Sequence, residues 1–550
     1  MKRVYIALAA SALLFNTAVF AQEALKSAEE NYYDFLSLQG LVKRPSLNYR
    51  TLSDSVWNVS PSTEHAWQLN NLGTTYTLLD TSDSMQNAFL DGSVNGIKAR
   101  LYGPQWYNSY NTAAPYGMND GALWQGKGYN TSLTAGARLE AYGLELTLKP
   151  QFVFSQNLDF EIMKSHSDSE YGYFWGYGEK NNGVDLPQRF GDEAFYYFDW
   201  GDTEVRYTWK NLTLGFGTQA IWLGPAQVNA ILHSNNAPTY PKFDVGLRRT
   251  EIHIPWLNWY IGDIEARIWT GKLTESDYYD SDESNDNNMI HGLALAYAPS
   301  FVPGLTLFAN RTCLVKWDWE NLKYIIPVEA NTHVGEQGAG EDQKMSFGAD
   351  WIFAPVGLEI YGELGLDDFL QGGMIKGLIR YPFDTMTITA GLRKYIRFSD
   401  TLSGSISFEY INAELPRNRL AVRQQYAFNM HYQITQGYTN RGQCLGSVFG
   451  VGGNEQILTF DLYYPKGLVK FTLARNNPDN TYMYWQGKNL NNLYKANFIA
   501  GINSLHYVTS SFSVSGGLTY NWILNPFYDT KENSEDIYNF VFTLGLKYSL

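Results

Sequence analysis

Two cysteines, Cys313 and Cys444, are all that the 550 residues contain. So sparse a supply excludes a disulfide framework and a cysteine-rich zinc site. Whether the two pair stays open at this level. Long apolar runs are missing as well. After the first 21 residues no run of roughly 18 apolar residues occurs, which excludes a transmembrane helix. Positive charge is short, with 41 Lys and Arg against 55 Asp and Glu and a formal net charge of −14. Nucleic acid wants a basic footprint and is not an expected partner. Catalytic spacings are absent too: the eight His show no H-E-x-x-H, and no G-x-S-x-G elbow exists. Catalytic groups assembled across strands would leave no such motif. Gly121 to Lys127 has the spacing of a phosphate-binding loop, but Gly128 stands where Ser or Thr is required. The acidic run from Asp277 to Asn288 lacks the glycine of a calcium loop. No enzyme activity, metal or cofactor is expected.

Aromatic residues are what the chain has in quantity. They make up 16%, led by 40 Tyr, beside 49 Gly, with a mean hydropathy of −0.30. Strands with an apolar lipid face and a polar inner face give this mixture; a soluble β protein gives it too. Residues 1–21 read as a secretory signal peptide, with Lys2 and Arg3 before an apolar core and Val19-Phe20-Ala21 as the cleavage site. Its removal takes two positive charges and no negative one, moving the formal charge from −14 to −16.

Residues 22–87 form a distinct N-terminal segment. Leu25, Ala28, Tyr32, Phe35 and Leu36 recur at helical spacing before Gly40 and Pro45, and residues 25–45 are expected to be helical, at or within the periplasmic opening. From residue 88 the period becomes two. Leu144, Leu146 and Leu148 alternate with Glu145 and Thr147; Val205, Tyr207 and Trp209 alternate with Glu204, Arg206 and Thr208. Phe540, Phe542, Leu544, Leu546, Tyr548 and Leu550 carry an apolar face to the last residue. About 460 residues at roughly 9–11 per membrane strand allow about 16 to 18 strands. Charges at lipid depth cost about 2–4 kcal/mol, so the phasing sends Arg249, Glu251, Asp263, Glu265, Arg267, Glu359, Glu363 and Asp367 into a lumen. That set reads as a lumenal charge network; lining of a sugar or ion path is the other reading.

The chain around Trp222-Leu223-Gly224-Pro225 and Ser234-Asn235-Asn236-Ala237-Pro238, followed by Arg248-Arg249, resembles the signature of the Wzi-type capsule assembly family. The second Trp of the usual W-W-G-P is Leu223 here. Asn119 to Gly128, Tyr361 to Asp368 and His431 to Gly446 resemble further segments of that family, and the last strand resembles an outer-membrane insertion signal. The resemblance implies an all-β transmembrane barrel of about 18 antiparallel strands with a small helical plug. It further implies a non-enzymatic protein of the outer membrane that binds surface polysaccharide in capsule assembly or attachment, as a monomer among outer-membrane lipid. An outer-membrane channel for small solutes or sugars is the alternative. Sugars stack on rings and bond to amides, so Trp222, Gln227, Asn229, Asn235 and Asn236 are the candidate polysaccharide contacts. A rigid loop that packs only on itself fits the same residues.

Overall fold

The computed structural model describes residues 20–22, 26–59, 63–70, 72, 76–80, 96–163, 165, 169–172, 184–326, 340–367, 379, 386–415, 427–481, 495–529 and 534–549. The expected signal peptide, up to residue 19, lies outside them, as does Leu550.

Among these residues eighteen antiparallel strands close into a barrel. They are β1 Ile97–Asn111, β2 Gly128–Ala141, β3 Leu144–Leu148 continued by Gln151–Ser155, and β4 Phe195–Asp199 continued by Glu204–Trp209. Then come β5 Leu212–Gly217, β6 Lys242–Ile254, β7 Trp259–Thr274, β8 Asn287–Pro299, β9 Leu305–Lys316 and β10 Glu341–Phe353. The series ends with β11 Leu358–Asp367, β12 Met386–Arg397, β13 Ser403–Asn412, β14 Asn454–Tyr464, β15 Gly467–Asn477, β16 Ala496–Tyr507, β17 Phe512–Leu524 and β18 Ile537–Tyr548. β18 pairs with β1 from Val541↔Asn111 to Lys547↔Gln105, so the wall has no bare edge there. β1 outruns that pairing. Its Lys98 to Leu101 stretch is covered instead by Tyr76–Asp80, a piece of the N-terminal segment that joins the wall.

Burial runs opposite to that of a soluble sheet. Leu144, Leu146, Leu148, Val205, Tyr207, Trp209, Phe540, Phe542 and Leu544 are exposed, while Glu145, Thr147, Glu204, Arg206 and Thr208 are buried. Only a solvent of lipid makes that phasing favourable, and closure satisfies the backbone inside it. Tight turns such as Ala141/Leu144 and Tyr464/Gly467 gather at one end, opposite long connections such as 218–241 and 413–453. Short turns mark the periplasmic end of such barrels.

The lumen is filled by the chain itself. At the short-turn end lies helix α1, Ala28–Ser37. The Ser27 hydroxyl caps it by accepting the Glu30 N–H at 3.1 Å. It stops well before residue 45, because the chain turns at Gly40 with φ +69°. Its surroundings are enclosed all round rather than on one face. Tyr32, Phe35 and Leu36 pack with Trp67, Tyr463 and Tyr507, and the Tyr32 and Trp67 rings stack at 3.9 Å. In the long-loop half, Ile221, Leu223, Leu232, Phe428 and Tyr438 pack against wall residues Trp269, Ile290 and Leu314. Leu223 therefore sits inside a core. Cys313 and Cys444 are both buried and are not joined by a disulfide.

Candidate functional site

The connection from β5 to β6 enters the lumen and is fastened there residue by residue. Trp222–Leu223 pairs antiparallel with Tyr49–Arg50 of the N-terminal segment. Gly224 then adopts φ +79°, and a Cβ there would lie 2.7 Å from Glu363 Oε2. Only glycine combines that conformation with that approach. Beyond Pro225, the N–H groups of Gln227, Val228 and Asn229 donate to the Glu409 carboxylate at 2.6, 3.2 and 2.7 Å, and the Tyr361 hydroxyl donates to it at 2.6 Å. Successive N–H groups form an anion-binding concavity, here filled by a side chain of the wall.

Each candidate contact has protein partners. Trp222 is fully buried, its Nε1–H donates to Ala226 O at 3.0 Å, and the Lys26 ammonium lies 4.5 Å from its ring centre. Gln227 Oε1 accepts from Lys26 at 3.4 Å. Asn229 donates to Glu455 at 2.8 Å and accepts from the Ser447 hydroxyl at 3.1 Å. Asn235 donates to Asn119 O at 3.3 Å, and Asn236 donates to Cys444 O at 3.1 Å. As placed, Trp222 and Asn229 present no surface to a ligand. Asn236, by contrast, lines a cavity.

The wall charges divide into two kinds. Some pair with cations: Asp263 with Arg249 at 2.6 Å and Lys43 at 3.0 Å, Arg267 with Asp244 at 2.6 Å, and Asp367 with Lys344 at 2.6 Å. Glu359 meets Arg44 at 2.5 Å and Arg393 at 3.1 Å. Among the described residues Glu265 has no ion-pair partner and instead accepts the N–H groups of Leu47, Asn48 and Tyr49 at 2.7, 3.1 and 2.6 Å. Glu363 is buried against Gly224, whereas Glu251 is exposed at the short-turn rim with Lys43 3.9 Å away.

Sequence reasoning missed the other half of these contacts. Asp34 on α1 binds Arg44 at 2.6 Å and Arg393 at 2.5 Å; Asp54 binds Arg248 at 2.6 Å and Arg267 at 2.9 Å. Burial pushes the Asp34 and Asp54 carboxyls up, but the guanidiniums outweigh it and hold both well below the usual carboxylate range. On the long-loop side Asp185 accepts the N–H groups of Ser276 at 2.7 Å and Gly442 at 3.0 Å. Burial dominates there and raises its carboxyl to about 6. The N-terminal partners gave no signal because they obey no period. Glu409, a buried inward position of β13, was not singled out either.

Residues 116–314 match the family model described as Capsule assembly protein Wzi. A solved structure with a TM-score of 0.55 covers 97% of this chain and 100% of its own at 12% identity. It is described as Wzi, an outer membrane protein involved in group 1 capsule assembly in Escherichia coli and a carbohydrate-binding β-barrel. OpdK of Pseudomonas aeruginosa, solved with vanillate, is more remote, at 8% identity over 82% of this chain and 98% of its own, with a TM-score of 0.38. No curated protein matches the sequence.

Proposed function

We propose that this outer-membrane β-barrel is a Wzi-type protein that binds surface polysaccharide and takes part in capsule assembly or attachment. One observation carries the reading: its own N-terminal segment and the connection after β5 occupy the lumen and are latched to wall carboxylates Glu265, Glu359 and Glu409. A passage for solutes would need that interior. A rigid scaffold that presents its long connections to the cell surface does not. Such a scaffold loses little entropy when a glycan settles on it.

The protein acts by binding rather than catalysis, as a monomer in lipid, with polysaccharide and not nucleic acid as partner. The segment from Trp222 to Pro238 serves that binding in two ways. Trp222, Gln227 and Asn229 fix the connection from beneath, and Asn235 and Asn236 hold the 119–121 turn that faces the cavity. The test compares surface polysaccharide retained by cells with and without the protein. Loss of retention on deletion, restored by the intact gene, supports the proposal. Equal retention in both sinks it.

A further inference from the structure

We propose that the cavity between the 115–125 connection and the long-connection ends of β14 to β17 is a saccharide pocket for an uncharged sugar unit. This rests on the polysaccharide-binding function proposed above and adds where, and for which chemistry, that binding occurs.

The cavity has a volume of about 250 Å³. Small-ligand sites run about 300–1,000 Å³, so the pocket suits a single small unit rather than a length of chain. Its wall is a row of amides set by strand register. Glu455 lies opposite Asn476, and Asn476 opposite Asn497. Asn521, on β17, lies opposite Ile499, and both residues line the cavity. The row is joined in part, with Asn476 donating to Glu455 at 3.2 Å and Asn497 donating to Asn476 at 2.8 Å. Two acceptors are left over. Among the described residues the Asn497 and Asn521 side-chain oxygens are buried without a hydrogen-bond partner, and Asn521 is only 3% exposed. A buried amide oxygen left unpaired is destabilising, and a donor delivered by a ligand recovers that loss. Sugar hydroxyls are such donors.

The opposite side supplies rings. Tyr116 and Trp124 line the cavity and are partly exposed, and the C–H face of a sugar ring stacks on such surfaces. The charge of the lining sets the class of sugar. Among the described lining residues the acids are Asp120 and Glu455, and there is no Lys or Arg. A carboxylated sugar would meet two acids and no cation, whereas a neutral one meets amides, hydroxyl acceptors and rings.

The test uses the folded full-length protein in detergent, with intrinsic tryptophan fluorescence and calorimetry. The probes are glucose, galactose, mannose and their methyl glycosides, set against glucuronic and galacturonic acid. The proposal expects saturable binding of at least one neutral sugar and at least tenfold weaker binding of its uronic acid. Asn521→Leu and, separately, Asn497→Leu should weaken the neutral sugar at least tenfold, with heat-modifiable gel mobility unchanged. Two variants are used so that, if one misfolds, the other still decides. Preference for the uronic acids, or unchanged binding in a folded variant, overturns the pocket. So does failure of every probe to bind. If cells lacking the protein nonetheless lose their polysaccharide, the broader function stands and only the pocket falls.

Discussion

Replacing Arg44 by Met should release the N-terminal plug while leaving the barrel closed. Arg44 lies in the turn after α1 and bridges Asp34 at 2.6 Å, Asp350 on β10 at 2.5 Å and Glu359 on β11 at 2.5 Å. Arg393 on β12 shares two of those acids, reaching Asp34 at 2.5 Å and Glu359 at 3.1 Å. Without Arg44, Asp34 and Glu359 keep only Arg393, and Asp350 has no ion-pair partner left among the described residues. Removing one partner of a buried pair costs roughly 3–5 kcal/mol, mostly for the orphaned charge. At about 1.4 kcal/mol per factor of ten, the released fraction of the plug rises by about 10² to 4 × 10³. Planar-bilayer recording of the purified variant should show openings that the parent lacks. Heat-modifiable mobility should persist, because the wall pairing is untouched. Adding Glu359→Gln removes one orphaned charge and should recover part of the loss, on the order of 0.5–3 kcal/mol of coupling. The pH sign follows from Asp34. Its carboxyl is held below the usual range once the guanidiniums outweigh burial, so its contribution is complete above the unfolded value of about 3.9. It is lost as pH falls further, and the parent should stay plugged at pH 5. An Arg44→Met trace as silent as the parent's, with the same unfolding temperature, would mean that Arg44 is no latch.

Three further outcomes are expected. Burial together with Asp185, Asp280 and Asp286 raises the Glu275 carboxyl to about 10, far above its unfolded value of about 4.3. The folded state then binds the extra proton, so the 275–286 connection should lose stability as pH rises through that window. Proteolysis there should be faster at pH 9 than at pH 5, and Glu275→Gln should flatten the profile; a variant with the parent's slope counts against it. Gly224→Ala places a methyl 2.7 Å from Glu363 Oε2 at φ +79° and should cost roughly 1–3 kcal/mol, read as a lower unfolding temperature. Asn235→Ala with Asn236→Ala removes three side-chain bonds, to Asn119 and Cys444. Polysaccharide binding should weaken with the barrel still folded, and full binding in that variant would place the contact in other connections.

The barrel was legible because lipid imposes a strict period of two. Leu144, Glu145, Leu146 and Thr147 can satisfy lipid and lumen in only one phase, and the structure adopts it. The helix was legible as a period but not in length, since its end is set by the turn at Gly40 rather than by the continuing apolar residues. What fills the lumen was hidden. Trp222 reads in sequence as an available ring, but Lys26 and Arg50, far away along the chain, enclose it together with the nearby Ala226. Glu265 reads as half of an ion pair, yet three backbone N–H groups take it. Backbone donors have no residue type, so no spacing announces them. The amide row escaped for a related reason. Asn476, Asn497 and Asn521 come from separate strands and become neighbours only through register.

Glycan binding by the purified, folded protein is the most direct measure of what this barrel does. Surface polysaccharide from the cells that carry it, titrated into the protein in detergent by calorimetry, should give a saturable heat that boiling abolishes. A folded barrel that takes up no polysaccharide, yet conducts freely in a bilayer without any change at Arg44, would be a channel and not a glycan-binding scaffold.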